Sequence, residues 1–83
     1  MFGKLYQRKP HKTKAVQYNG EKEMADDLSN QLLDIRFDGT FLWFNGTYVN
    51  EEVQKGDWIL YEKNRATAIY DDEFFIEFFE EAK

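Results

Sequence analysis

Apolar residues recur with the period of a helix in one segment near the start of the chain. Met24, Leu28 and Leu32 follow one another at intervals of four, which places them on one side of a helix. Acidic residues occupy the first turn, where the helix dipole favours negative charge, and Asn19 stands where a capping residue is expected. The pattern predicts a single helix over residues 21–33.

Elsewhere along the chain apolar and polar residues alternate, which is typical of strands. The alternation predicts strands over 13–18, 34–37, 40–44, 47–50, 58–61 and 66–70. Asp38-Gly39 and Asn45-Gly46 predict two-residue hairpin turns, because both central residues of such turns need positive φ. Both sides of the 40–44 strand carry apolar side chains, so we expect this strand to be covered on both sides.

The last segment of the chain fits two structures. Residues 71–75 begin with acids that cap a short helical turn, and residues 76–81 fit a strand or a helix, of which we favour a final strand. Together the patterns predict the α+β class: a single helix packed on an antiparallel sheet of about five to six strands, in the order β-α-β-β-β-β-β. We expect 1–83 to form a single domain, with 1–12 as a basic extended arm.

The composition limits the chemistry that the chain can perform. It has no cysteine and one histidine, so a disulfide scaffold, a thiol nucleophile and a multi-histidine metal centre are excluded. Its motifs supply neither a nucleophile–base–acid triad nor a phosphate-binding glycine loop. We therefore expect a protein that is not an enzyme and has no metal site and no cofactor.

Charge is unevenly distributed along the chain, whose formal net charge is −5. Residues 1–15 carry five basic residues and no acid, whereas residues 71–83 carry six acids and one lysine. An acidic domain repels a phosphate backbone, so direct binding of nucleic acid is not expected. No apolar run is long enough to span a membrane, so no membrane partner is expected either.

Aromatic residues make up 18% of the chain, and those that the core does not bury are the usual anchors of protein recognition. The acidic C-terminal segment and the exposed rings predict a surface that docks on a basic protein. The residues expected to supply its charge are Asp71, Asp72, Glu73, Glu77 and Glu80, and the expected anchors are Trp43 and Phe75.

Two other functions remain open. The first is binding or sequestration of a small ligand such as a nucleotide: Trp43 or Tyr48 would stack on a base, and basic residues would bind phosphate. The expected basic residues are Arg36, Lys9, Lys12 and Lys14. The second is a structural role in a virion or its assembly. An exposed edge strand would also allow a homodimer.

Three segments of the chain carry a family resemblance. The first is an opening Tyr-x-Arg-Lys-Pro stretch with a later Ala-x-Gln-Tyr-x-Gly, the second is a Gly-Asp-Trp-Ile motif, and the third is a closing acidic-aromatic segment. Together they resemble a family of small bacteriophage and prophage proteins. The matching residues are Tyr6, Arg8, Lys9, Pro10, Ala15, Gln17, Tyr18, Gly20, Val53, Gly56, Asp57, Trp58, Ile59, Leu60, Tyr70, Asp72, Phe74 or Phe75, Phe78 and Glu80. Lys55 departs from the family, which has proline before Gly-Asp, and the proline-containing stretch before Tyr70 is missing.

The resemblance implies a phage accessory protein in the cytoplasm of a bacterial host, with a curved antiparallel sheet. It does not imply an enzymatic activity. Together with the acidic and aromatic residues, it favours a protein that binds and modulates a host protein, for instance by inhibiting a defence system.

Overall fold

The structure is a computed structural model that describes the backbone of residues 4–8 and 11–81 and the side chains of residues 13–80. Within these residues the chain forms eight strands and two helices. The strands are β1 (Lys4–Arg8), β2 (His11–Gln17), β3 (Ile35–Phe37), β4 (Leu42–Asn45), β5 (Asn50–Val53), β6 (Trp58–Glu62), β7 (Arg65–Tyr70) and β8 (Glu80–Glu81). The helices are α1 (Lys22–Gln31) and α2 (Asp72–Phe78).

The strands form two antiparallel sheets. The larger sheet has the order β7-β6-β2-β1-β8, and the smaller one the order β3-β4-β5. The predicted α+β class is confirmed, but the prediction of one helix on one sheet is wrong in detail. The hairpins after α1 pair only among themselves, and the apolar face of this small sheet packs against the larger sheet instead of extending it.

Both faces of the larger sheet are covered, because side chains on a strand alternate between its two faces. Ile59 and Tyr61 of β6 belong to the core that contains α1 and the small sheet. Leu60, between them, belongs to a second core that contains α2. The molecule therefore has three layers: α2, the larger sheet, and a layer made of α1 and the small sheet.

The sequence located α1 to within two residues at each end. Leu28 and Leu32 are buried and Met24 is partly buried, so the predicted apolar stripe faces the core. The predicted capping role of Asn19 is wrong. Glu21 occupies the N-cap position, and the side-chain oxygen of Asn19 accepts a hydrogen bond from the backbone N–H of Glu21 at 2.9 Å.

Neither predicted hairpin turn has the expected conformation. In Asp38-Gly39 only Gly39 has positive φ, at 99°. Asn45 still belongs to β4 and pairs with Asn50, so β4 and β5 are joined by the loop 46–49 and the returning strand begins at Asn50. The expected strand over 47–50 is therefore displaced by about three residues along the chain.

The end of the chain is more helical than expected. α2 continues through Phe78 because Phe75 and Phe79, one helical turn apart, both pack on the larger sheet. Only β8 remains of the strand expected over 76–81, and it pairs with β1. Residues 4–8 of the expected N-terminal arm are thus strand β1 inside the larger sheet.

Candidate functional site

Two of the predicted partner-binding acids hold the start of α2 in place. Asp71 is the N-cap, and its carboxylate accepts the backbone N–H of Phe74 at 2.8 Å. Asp72 Oδ1 accepts two hydrogen bonds, from Gln17 Nε2 at 3.1 Å and from Trp58 Nε1 at 2.9 Å. The Asp71 carboxylate thus fixes the start of the helix, and the Asp72 carboxylate fixes the helix to the larger sheet.

The other predicted acids lie on the outer side of α2. Glu73 and Glu77 are exposed, and Ile76 lies with them on one face because the three are spaced i, i+3 and i+4. Ile76 is 66% exposed, and the exposed Glu80 lies two residues after the helix. We call Glu73, Ile76, Glu77 and Glu80 the acidic-apolar face. Phe78, which is 44% exposed, lies two positions from Ile76 and therefore on the opposite flank of the helix.

Phe75, a predicted anchor, lies in the core instead of on this face. It is only 3% exposed. Its ring stacks on Trp58 with 3.9 Å between centroids and on Phe79 with 4.7 Å. The prediction of Phe75 as a surface anchor is therefore wrong, because Ile76 and not Phe75 occupies the outward position of the helix.

Trp43, the second predicted anchor, lies in a different layer from α2. Leu42 and Phe44 of β4 are buried against the larger sheet, so Trp43 between them is on the outer face of the small sheet. It is partly buried, and Phe41 beside it is 48% exposed. The expectation that both sides of this strand are covered is wrong. The small sheet and α2 cover opposite faces of the larger sheet, so Trp43 and the acidic residues do not form one surface.

Polar side chains surround Trp43 on that outer face. Strand pairing places Arg36 directly opposite Trp43 on one side and Glu52 opposite it on the other, and Asn45 pairs with Asn50. Arg36, Trp43, Asn45 and Asn50 line a shallow depression of about 210 Å³. A second depression, of about 310 Å³, has Phe41 and Glu52 in its wall. We call Arg36, Trp43, Asn45, Asn50 and Glu52 the sheet platform.

Asp38 fixes the edge of this platform. Its carboxylate accepts the backbone N–H groups of Phe41 and Thr40, at 2.7 and 2.8 Å, and the indole N–H of Trp43 at 3.1 Å. These hydrogen bonds, first that from Phe41, together with the charge of Arg36, lower the pKa of Asp38 below its ordinary value of 3.8. The anionic form of Asp38 is therefore the acceptor for the indole N–H of Trp43.

The predicted nucleotide-binding residues come together only in part. Arg36 and Trp43 share one depression. Tyr48 is 96% exposed in the loop after β4, and Lys14 is exposed on β2 of the larger sheet. Lys9 and the side chain of Lys12 lie outside the described residues.

Sequence reasoning missed Ile76, Asn45, Asn50 and Glu52. The i, i+3, i+4 spacing of Glu73, Ile76 and Glu77 was a usable signal for an exposed helix face. The platform had no such signal, because the register of β4 and β5 depends on the length of the loop between them.

In the part of the chain that the structure describes, no three metal-ligating side chains converge on one point. No helix there is long and apolar enough to cross a membrane.

No protein-family model, curated protein or solved structure matches the chain. The resemblance to phage proteins stays a prediction.

Proposed function

We propose that the chain is a non-enzymatic binding protein that docks on another protein through the acidic-apolar face of α2. The observation that carries this proposal is Ile76, which is 66% exposed beside two carboxylates on one face of the helix. A partner would cover Ile76 with an apolar pocket and place basic residues against Glu73 and Glu77. An exposed apolar residue with charged residues around it is the usual composition of a binding surface.

The position of Glu77 supports this proposal. Glu77 lies in the last turn of α2, which contains no basic residue. The negative end of the helix dipole disfavours an acid there, typically by 0.3–1 kcal/mol. Helix stability therefore does not explain this glutamate, whereas attraction to a basic partner does. Residues that serve binding commonly lower the stability of the free protein in this way.

The identity of the partner rests on the resemblance to phage proteins. It favours a protein of the bacterial host, bound in the cytoplasm and modulated by the contact, with inhibition of a defence system as one form of modulation. The net charge of −5 favours a partner whose contact surface is basic.

The proposal is tested by protein capture from a bacterial lysate with two charge-reversed variants. Glu73→Lys with Glu77→Lys changes the acidic-apolar face. Glu51→Lys with Glu52→Lys makes the same change in charge on two exposed residues of β5, in the layer on the other side of the larger sheet. We expect the wild type and the β5 variant to capture the same protein. We expect the α2 variant to bind that purified protein at least about tenfold more weakly.

A third variant, Ile76→Ala, separates apolar docking from charge. It removes exposed apolar surface and keeps every charge, so we expect it to weaken binding while the association rate stays nearly constant. The proposal would be contradicted if the α2 double variant captured the partner as well as the wild type does. It would also be contradicted if both double variants lost affinity for the partner equally. Equal losses would mean that the partner responds only to net charge.

A further inference from the structure

The sheet platform presents polar side chains that form no hydrogen bonds or ion pairs within the described part of the chain. The side chains of Arg36, Asn45, Asn50 and Glu52 form no hydrogen bond or ion pair with the other described residues. Arg36 and Glu52 lie on either side of Trp43, one strand away in each direction. These four groups together offer both hydrogen-bond donors and acceptors around one aromatic ring.

Two contacts orient the Trp43 ring at the centre of these groups. Its indole N–H donates to Asp38 at 3.1 Å. The Phe41 ring meets it nearly edge-on, at 72° and 6.4 Å between centroids. A ring oriented in this way loses little conformational entropy when a ligand packs on it.

The charges around Trp43 disfavour an anionic ligand. Arg36 is the single cation of the sheet platform, while Glu52 lies in the platform and Asp38 holds its edge. A phosphate would therefore meet one positive and two negative groups within one small area. A neutral ligand with many hydroxyl groups avoids this repulsion and can use the guanidinium, the carboxylate and both amides as hydrogen-bond partners.

The shape of the face favours an extended ligand. The depression of about 210 Å³ is smaller than the ~300–1,000 Å³ of pockets that enclose small molecules. Phe41 and Glu52 also border the second depression, whose lining includes Tyr18, Gly20 and Lys55 outside the small sheet. A ligand would thus be contacted on one side along its length and not surrounded.

We propose that the sheet platform binds a neutral carbohydrate chain. The C–H face of one pyranose ring packs on Trp43, where the negative face of the aromatic system attracts polarised hydrogens. Its hydroxyl groups bond to Asn45, Asn50, Arg36 and Glu52, and the next sugar lies toward Phe41. This site lies in a different layer from the acidic-apolar face, so each proposal can fail without the other.

The test is electrophoresis of the full chain through native gels that contain mixed-linkage β-glucan, galactomannan, xylan or dextran. A gel with polyuridylic acid provides the anionic comparison. We expect at least one neutral polysaccharide to slow the migration of the wild type. Trp43→Ala should abolish this slowing. The double variant Asn45→Ala with Asn50→Ala should reduce it at least about threefold. Phe78→Ala removes an exposed ring on α2 and is the matched control, which we expect to migrate like the wild type.

A second readout does not depend on the folding of the Trp43 variant. Oligosaccharides of the polysaccharide that slows migration are added to the wild type, and the two indole N–H signals are followed by NMR. We expect the Trp43 signal to shift and the signal of Trp58, bonded to Asp72, to remain in place. Any of three results would overturn the proposal. None of the four polysaccharides slows migration, only polyuridylic acid slows it, or the Trp43 signal does not shift.

Discussion

At the scale of single residues, the carboxylates of this chain divide into structural and exposed groups. Asp38, Asp71 and Asp72 accept hydrogen bonds that fix a loop, a helix start and the docking of α2. Glu73 and Glu77 are exposed on α2. The sequence predicted the position of these acids but not their roles, because adjacent acids such as Asp72 and Glu73 look alike until the helix turns one inward and the other outward.

Asp72 provides the first prediction. Asp72→Ala removes two hydrogen bonds, from Trp58 Nε1 and from Gln17 Nε2, so we expect the free energy of unfolding to fall by about 1–3 kcal/mol. Asp72→Asn keeps an oxygen that can accept both bonds, so it should lose clearly less. Urea unfolding followed by tryptophan fluorescence measures both variants. If the alanine and asparagine variants are equally stable, the two hydrogen bonds do not hold the helix.

Asp38 provides a prediction about pH. Its pKa is lower in the folded chain than in the unfolded one, so its contribution to stability is present above the unfolded-state value of about 3.9. That contribution is lost as the pH falls through the lower, folded-state pKa. Between about pH 5 and about pH 2 we therefore expect the wild type to lose more stability than Asp38→Asn, which does not titrate there. The measurement is the urea midpoint at each pH, and equal acid sensitivity of the two proteins would contradict the assignment.

At the scale of elements, α1 was predictable and α2 was not. The apolar residues of α1 fit only a helical period. The apolar run at the end of the chain fits the period of a helix or that of a strand, and only packing on the larger sheet decides for a helix. This run consists of Phe74, Phe75, Phe78 and Phe79. The split into two sheets was not predictable for a similar reason, since alternation identifies strands but not their neighbours.

The charge at each end of α2 predicts how two charge-reversed variants differ in stability. Glu77→Lys places a favourable charge in the last turn and forms an attractive i, i+4 pair with Glu73. Glu73→Lys makes the same change in charge but loses a favourable acid in the first turn. We expect Glu77→Lys to be the more stable variant by about 0.5–1 kcal/mol, and more stable than the wild type. Thermal unfolding at low salt checks this order, and the reverse order would show that the helix dipole does not govern this face.

At the scale of the whole molecule, the three layers separate two surfaces that the sequence placed together. The predicted acidic and aromatic surface combined Trp43 with the acids of the C-terminal segment. The larger sheet lies between these groups, because the small sheet and α2 pack on its opposite faces. The 28 to 37 positions of chain between Trp43 and these acids gave no information on this point. The order of layers is set by which face of each strand is apolar.

Because the two surfaces are separate, one experiment can show whether a partner protein docks on α2. Amide hydrogen exchange is compared for the chain alone and for the chain bound to the protein that it captures. We predict slower exchange in α2, over residues 73–78, and no change in β4, at residues 42–45. Slower exchange over β3, β4 and β5 with α2 unchanged would contradict the claim that α2 carries the protein-binding surface.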